Sequence, residues 1–228
     1  MSISLDEAVD LTRTGDVWVF RGRSVPDRAI QFTTNSPVNH VGMAVVLDDM
    51  PPLMWHAELG RSLRDMWTGS HQRGVQLHDL RDAVCVWANR YGQRAWLRQL
   101  EPSADPAMEQ AVLQTVARLD GTPFPSTAQL AWRWARGRVP RVRLPLPGRR
   151  DRDDAPVDER SGLPTGDRAL ETAYCAEVVA VTYEAMGLLS PGRRPNWYDP
   201  GRFWSGDDLD LTGDARLGAE IEVRIPPR

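Results

Sequence analysis

The chain has 228 residues, 41% of them hydrophobic and 26% charged, proportions that exclude a wholly disordered or fibrous protein and supply enough apolar material for a substantial core. Its 28 basic residues, every one an arginine, stand against 31 acidic ones for a net charge of -3, so bulk attraction to nucleic acid or membrane is excluded and any such partner must use a local patch. The two cysteines, Cys85 and Cys175, are too few for a disulfide framework or a paired-cysteine metal site, and point to a reducing, cytoplasmic setting.

Met1 to Asp16 has no apolar core of signal-peptide length, and no later stretch reaches about 18 consecutive apolar residues, so neither export nor membrane anchoring is expected. Leu5 to Leu11 reads as a short helix. Thr14-Gly15-Asp16 is the turn that delivers the chain into Val17-Trp18-Val19-Phe20, an apolar run expected as a buried strand. In the polar segment Arg21 to Asn35, one or two helical turns are expected over Asp27 to Phe32. His40 to Leu47 is the clearest strand, ended by Asp48-Asp49 and Pro51-Pro52. Leu53 to Leu59 alternates, with Leu53, Trp55 and Ala57 on one face and Met54, His56 and Glu58 on the other. Their short connection makes these two strands an antiparallel pair. Gly74 to Leu77 and Val84 to Trp87 read as further short strands, so a meander is expected.

Asp105 to Leu119 has helical spacing, with Met108, Val112, Val116 and Leu119 on one stripe, Pro106 suited to the first turn and Gly121 as the stop. From Pro123 to Asp167 the composition shifts. Trp132 and Trp134 sit among arginines, prolines recur at positions 140, 145 and 147, and Asp151 to Arg160 is highly charged. This is the pattern of an arm or lid inserted in a single domain spanning residues 1–228. Within Tyr174 to Leu189, Val178, Val179, Thr182 and Met186 follow Cys175 at helical spacing and Gly187 marks the end. Ala219 to Ile225 alternates as a closing strand.

A helix N-terminus stabilises a thiolate through its unpaired N–H groups and the positive end of its dipole, and Cys175 occupies such a place. Cys85, inside an apolar run, is assigned to packing. A nucleophilic thiol needs a proton carrier near neutrality, which imidazole supplies. His40 opens the strongest strand, whereas His71 and His78 fall in polar surroundings that read as loops. A third polar group should orient the imidazole. His56 and Glu58 share a face of the neighbouring strand, and spacing does not choose between them. They lack a third metal ligand unless His40 is taken for it, so no metal and no other cofactor is expected.

Gly15 to Ser24 (GDVWVFRGRS), followed by Asn39-His40-Val41-Gly42-Met43-Ala44-Val45-Val46, resembles the opening of the permuted papain-like amidases of the YiiX type, relatives of the NlpC cell-wall peptidases. Tyr174-Cys175-Ala176-Glu177-Val178-Val179, with Tyr183 and Gly187-Leu188, resembles their nucleophile helix, and Asp199-Pro200 and the last strand are similar too. The order histidine, polar residue, cysteine is the permuted one. The resemblance runs to about Leu80 and resumes at Tyr174, leaving the arm outside it. It implies an α+β, permuted papain-like fold, with an antiparallel meander packed against helices and the nucleophile at the N-terminus of a late helix. It further implies that Cys175 attacks a carbonyl, that His40 carries the proton, and that a backbone N–H near Cys175 stabilises the oxyanion, with Tyr174 a further candidate there and Glu177 structural. His56-Ala57 matches the family's Glu-Ala dipeptide better than Glu58 does, which ranks His56 ahead of Glu58 as the third residue.

Related enzymes divide between cleaving peptide bonds in cell-wall material and handling lipid acyl groups. The expected substrate is therefore a small molecule, a peptide or a lipid acyl group, carried through a thioacyl-enzyme. Arg133, Arg136, Arg138, Arg141 and Arg143, interleaved with Trp132, Trp134, Val139 and Leu144, suit an anionic membrane surface, or else pair with Asp151, Asp153, Asp154 and Glu159. No nucleic-acid partner is expected. The alternative from another class is a non-catalytic module that keeps the fold and holds a ligand or partner in its cleft.

Overall fold

The structure, a computed structural model, describes residues 2–22, 37–58, 63–123, 175–204 and 209–227. Strand β1 (Ser2–Ser4) runs directly into helix α1 (Leu5–Leu11). The junction is a capping box, in which Ser4 Oγ accepts from the Glu7 N–H while the Glu7 carboxylate accepts from the Ser4 N–H. The expected turn at Gly15 follows, where a φ of 90° suits a residue without a Cβ. It leads into β2 (Val17–Arg21), β3 (His40–Val45), β4 (Leu53–Glu58) and β5 (Gly74–Asp79), each antiparallel to the one before it. This is the meander that the sequence pattern predicts.

Val84 to Trp87, expected as a strand, lies instead within helix α2 (Leu80–Tyr91). Asp79 caps its start by accepting from the Asp82 N–H, and Gly92, with φ 64°, ends it in the left-handed region. Leu80, Ala83, Val84 and Trp87 form its buried stripe at three- and four-residue spacing. Strand β6 (Arg94–Arg98), which the sequence reading leaves out, then returns along β2. Next come β7 (Leu100–Glu101), helix α3 (Pro106–Leu119) with Asp105 as its cap, and helix α4 (Cys175–Ala185). Two short 3-10 turns, Pro195–Trp197 and Pro200–Phe203, precede β8 (Arg216–Leu217) and β9 (Ile221–Arg224). The main sheet has the order β1-β9-β6-β2-β3-β4-β5, with β1 and β9 parallel and the other pairs antiparallel. The helical turns expected over Asp27 to Phe32, and the arm from residue 124 onward, lie outside the described residues.

Strand alternation divides the core into two layers. Val17, Val19, Val41, Met43, Val45, Leu53, Trp55, Ala57, Val75 and Leu77 face α3 and α4. Trp18, Phe20, Ala44, Met54, Ala95 and Leu97 face α1 and α2. Trp55 Nε1–H donates to Thr182 Oγ1 at 3.0 Å, pinning α4 to β4, and Tyr183 Oη–H donates to the Gly15 carbonyl at 2.6 Å, pinning it to the first turn. Buried Arg98 ties the C-terminal segment down by donating to the carbonyls of Phe203, Leu217 and Gly218, with Glu220 at 3.6 Å.

Candidate active site

His40 is the first residue of β3, and the period of two sends its side chain to the α2 face, together with Gly42 and Ala44. On β4 the same rule puts His56 and Glu58 on that face, and on β5 it puts Gln76 and His78 there, with His56 paired directly to Gln76. The four side chains form one hydrogen-bonded row. His40 Nε2 lies 3.1 Å from His56 Nδ1, His56 Nε2 lies 3.1 Å from His78 Nδ1, and His78 Nε2 lies 3.2 Å from Gln76 Oε1. Gly42 makes room for the row, since a Cβ there would meet Met54 Sδ at 2.3 Å and His56 Cβ at 3.4 Å.

Trp87, from α2, roofs the row with ring-centroid distances of 5.0 Å to His40 and 4.8 Å to His56, and Phe20 flanks His40 at 5.9 Å. Under this cover burial pushes His40 down to about 4, with the charge of His78 adding to the effect. Burial likewise pushes His56 well below the ordinary imidazole value, with His78 and His40 contributing. His78 is also held at about 4 by burial, against the opposing pull of Asp65. All three imidazoles are therefore neutral at physiological pH.

Of the two third-residue candidates, His56 is the one in contact with His40, whereas Glu58 Oε2 accepts from Trp87 Nε1–H at 3.1 Å. Gln76 and His78 are absent from the sequence-level site. The strand read over Gly74 to Leu77 stops one residue short of His78, and carrying the alternation one step further places His78 on the face of Gln76. His71, by contrast, lies in an exposed loop as expected.

Cys175 opens α4 on the opposite face of the sheet, buried in the α3–α4 core layer. Burial pushes its thiol up to about 12, although the N–H groups of Val41, Ala176 and Cys175 itself pull the other way. Val41 is the residue after His40, so sulfur and imidazole flank one peptide unit. Among the described residues no hydrogen bond joins them. Cys85 is buried in α2 rather than in a strand, where it packs with Leu80 and Val84. Glu177 is buried in α4. Tyr174 and the arginines of residues 132–144 lie outside the described residues.

The class that the fold defines is a mixed α+β protein, a mostly antiparallel sheet between layers of helices. No family profile matches the chain, and no curated protein matches it. Among solved structures it is similar to YiiX from Escherichia coli O157:H7, described as a metalloprotein, with 20% identity, a TM-score of 0.45, and coverage of 76% of this chain. The chain spans 65% of the length of that YiiX chain. A YiiX-type protein is also what the sequence motifs resemble. The histidine row here does not fit a metal, because its imidazoles are bonded nitrogen to nitrogen instead of converging on a point. Among the described residues no group of three or more His, Cys, Asp or Glu has a metal-holding arrangement. Nor is any described helix long and apolar enough to cross a membrane.

Proposed function

We propose that this chain is a cysteine hydrolase or acyltransferase on a permuted papain-like domain spanning residues 1–228, with Cys175 as nucleophile, His40 as its base and His56 as the group that orients the base. The observation that carries the reading is the meeting of the Cys175 sulfur, at the start of α4, with the N–H of Val41, the residue next to a histidine whose far nitrogen is already held by His56. A raised thiol and a lowered imidazole make the resting pair neutral, so the sulfur loses its proton to His40 as it attacks, not beforehand.

In that step the S–H proton passes to His40 Nδ1 while the S–C bond forms at the substrate carbonyl, and the carbonyl oxygen takes up the electron pair. Backbone N–H groups at the start of α4 face the resulting oxyanion. Collapse breaks the bond to the amine or alcohol, which leaves with the proton from His40. Water or another acceptor then cleaves the thioester by the reverse use of the same base. The substrate is an amide or an acyl ester, and the setting proposed is cytoplasmic. An anionic membrane reached through residues 132–144 is a further proposal, which flotation with anionic vesicles at low salt tests by retention or loss of binding.

The separation of thiol and imidazole by the sheet favours a second reading, a non-catalytic module that holds a ligand in this cleft. Intact-mass spectrometry distinguishes the two. After incubation with peptidoglycan-fragment and lipid pools, the wild-type chain should gain an acyl mass that Cys175→Ala does not gain. The absence of adduct from both, with Cys175 and Cys85 alkylated equally slowly by iodoacetamide at mildly acidic pH, would leave the binding module.

A further inference from the structure

We infer that Gln76 is a positioning residue that sets the proton order of the whole histidine row, so that His40 is held as the tautomer with a bare Nδ1. The inference deepens the reading of His40 as the base and rests on it for its functional meaning, although the tautomer itself is measurable without any substrate.

The far end of the row sets the order. Gln76 Nε2 donates to the Gly74 carbonyl at 3.3 Å, and turning the amide over would set two carbonyl oxygens against each other. That contact aims Gln76 Oε1 at His78 Nε2, 3.2 Å away. An amide oxygen only accepts, so His78 Nε2 must carry a hydrogen. A neutral imidazole has a single N–H, which leaves His78 Nδ1 bare and able only to accept. It accepts from His56 Nε2–H at 3.1 Å, and His56 Nδ1, bare in its turn, accepts from His40 Nε2–H at 3.1 Å. His40 Nδ1 is then the one ring nitrogen of the row with a lone pair and no hydrogen-bond partner among the described residues. The reversed order would need a donor where Gln76 presents its oxygen. The Trp87 roof and the full burial of His56 and His78 keep water and second protons from scrambling the sequence.

The consequence is directional. Nδ1 branches from Cγ, on the side of the ring nearest its own backbone, and it is the backbone N–H of the next residue, Val41, that the Cys175 sulfur meets. A residue two strands away thus determines which nitrogen of His40 is basic, without touching sulfur or substrate.

Long-range ¹H–¹⁵N spectra of the full chain at pH 7.5 test this. His40, His56 and His78 should each show a protonated Nε2 and an unprotonated Nδ1. Gln76→Leu, which removes the acceptor, should move His40, His56 and His78 together toward a mixture with the Nδ1–H form, while Gln76→Glu, which keeps an acceptor toward His78 when its other oxygen is protonated against the Gly74 carbonyl, should retain the wild-type pattern. In the acyl-transfer assay Gln76→Leu should lower kcat at least tenfold with KM unchanged, and Gln76→Glu should restore most of it. A wild-type His40 carrying its hydrogen on Nδ1 overturns the inference even if Gln76→Leu does not fold, and so does a tautomer pattern indifferent to a folded Gln76→Leu. If the tautomers shift as stated but Cys175 takes no acyl group in any variant, the hydrolase reading fails and the proton order stands.

Discussion

Replacing His78 by glutamine should flatten the acid side of the protein's stability curve. In the folded chain His78 sits at about 4 against an ordinary value of 6.5, because burial disfavours its charged form. As pH falls below 6.5 the unfolded chain takes up a proton that the folded chain refuses until about pH 4. The stability contributed by this group is therefore present above pH 6.5 and lost as pH falls through that window. The whole depression is worth about 3 kcal/mol, of which about 2 kcal/mol develops between pH 7 and pH 5. Asp16 and Asp120 act in the opposite sense. Burial raises each to about 6, so the folded state gains stability from them on acidification and masks the histidines in the wild-type curve alone. Comparing wild type with His78→Gln cancels the carboxyls. Glutamine can accept from His56 and donate to Gln76, which preserves the row. Urea unfolding at pH 7 and pH 5 should show the deficit of the variant relative to wild type shrinking by about 2 kcal/mol at the lower pH. A deficit equal at both pH values would mean that His78 titrates in the folded chain as it does in water, and the desolvation argument for the row would fall.

Gly42→Ala should cost about 1–3 kcal/mol, because the new Cβ would lie 2.3 Å from Met54 Sδ. Combining it with Met54→Ala should cost less than the sum of the two single changes, read from denaturant midpoints. Tyr183→Phe should lower stability by about 1–2 kcal/mol, since it removes the 2.6 Å bond to the buried Gly15 carbonyl and leaves that oxygen unpaired. Arg98→Met should cost about 3 kcal/mol or more by stranding the carbonyls of Phe203, Leu217 and Gly218, and Arg98→Lys should recover little, because an ammonium cannot reproduce the guanidinium fork. Thermal melts of both variants check this.

Alternation made the site face legible in β4, where Trp55, His56, Ala57 and Glu58 take turns between apolar and polar. In Leu53–Glu58 it assigns Met54, His56 and Glu58 to the face they occupy. Val84-Cys85-Val86-Trp87 defeats the same test, because a short continuous apolar run has no period to distinguish a strand from a buried helix. There the deciding signals are the caps, Asp79 before the run and Gly92 after it. Strand β6 was hidden for a related reason. Arg94-Ala95-Trp96-Leu97-Arg98 is covered on both faces, so its apolar centre does not alternate and its flanking arginines read as loop. His78 was missed through a boundary error of a single residue. The row joining His40, His56, His78 and Gln76 could not be read in any case without the register of β4 on β5, since hydrogen bonds across strands depend on pairing that no local pattern supplies.

The layered fold also sets what the proposed pairing of Cys175 with His40 requires, since the two lie on opposite faces of the sheet. Within the paired part of β3 and β4, which runs from Met43 to Val45, backbone separates the α4 face from the α2 face. By Thr182, two turns into α4, the helix already lies over Trp55, the partner of Met43 inside that ladder. A cysteine at that level would be walled off from every imidazole of the row. Cys175 stands at the other end of the helix, against Val41, before the β3–β4 register begins, and His40 is the first residue of its strand. In the proposed reaction the proton would pass from sulfur to His40 Nδ1 beyond the end of the β3–β4 pairing, where His40 and Val41 are paired with β2. On the proposed reading the nucleophile belongs at a helix start and the base at a strand start, because one turn or two residues further inward the paired β3–β4 backbone would stand between them.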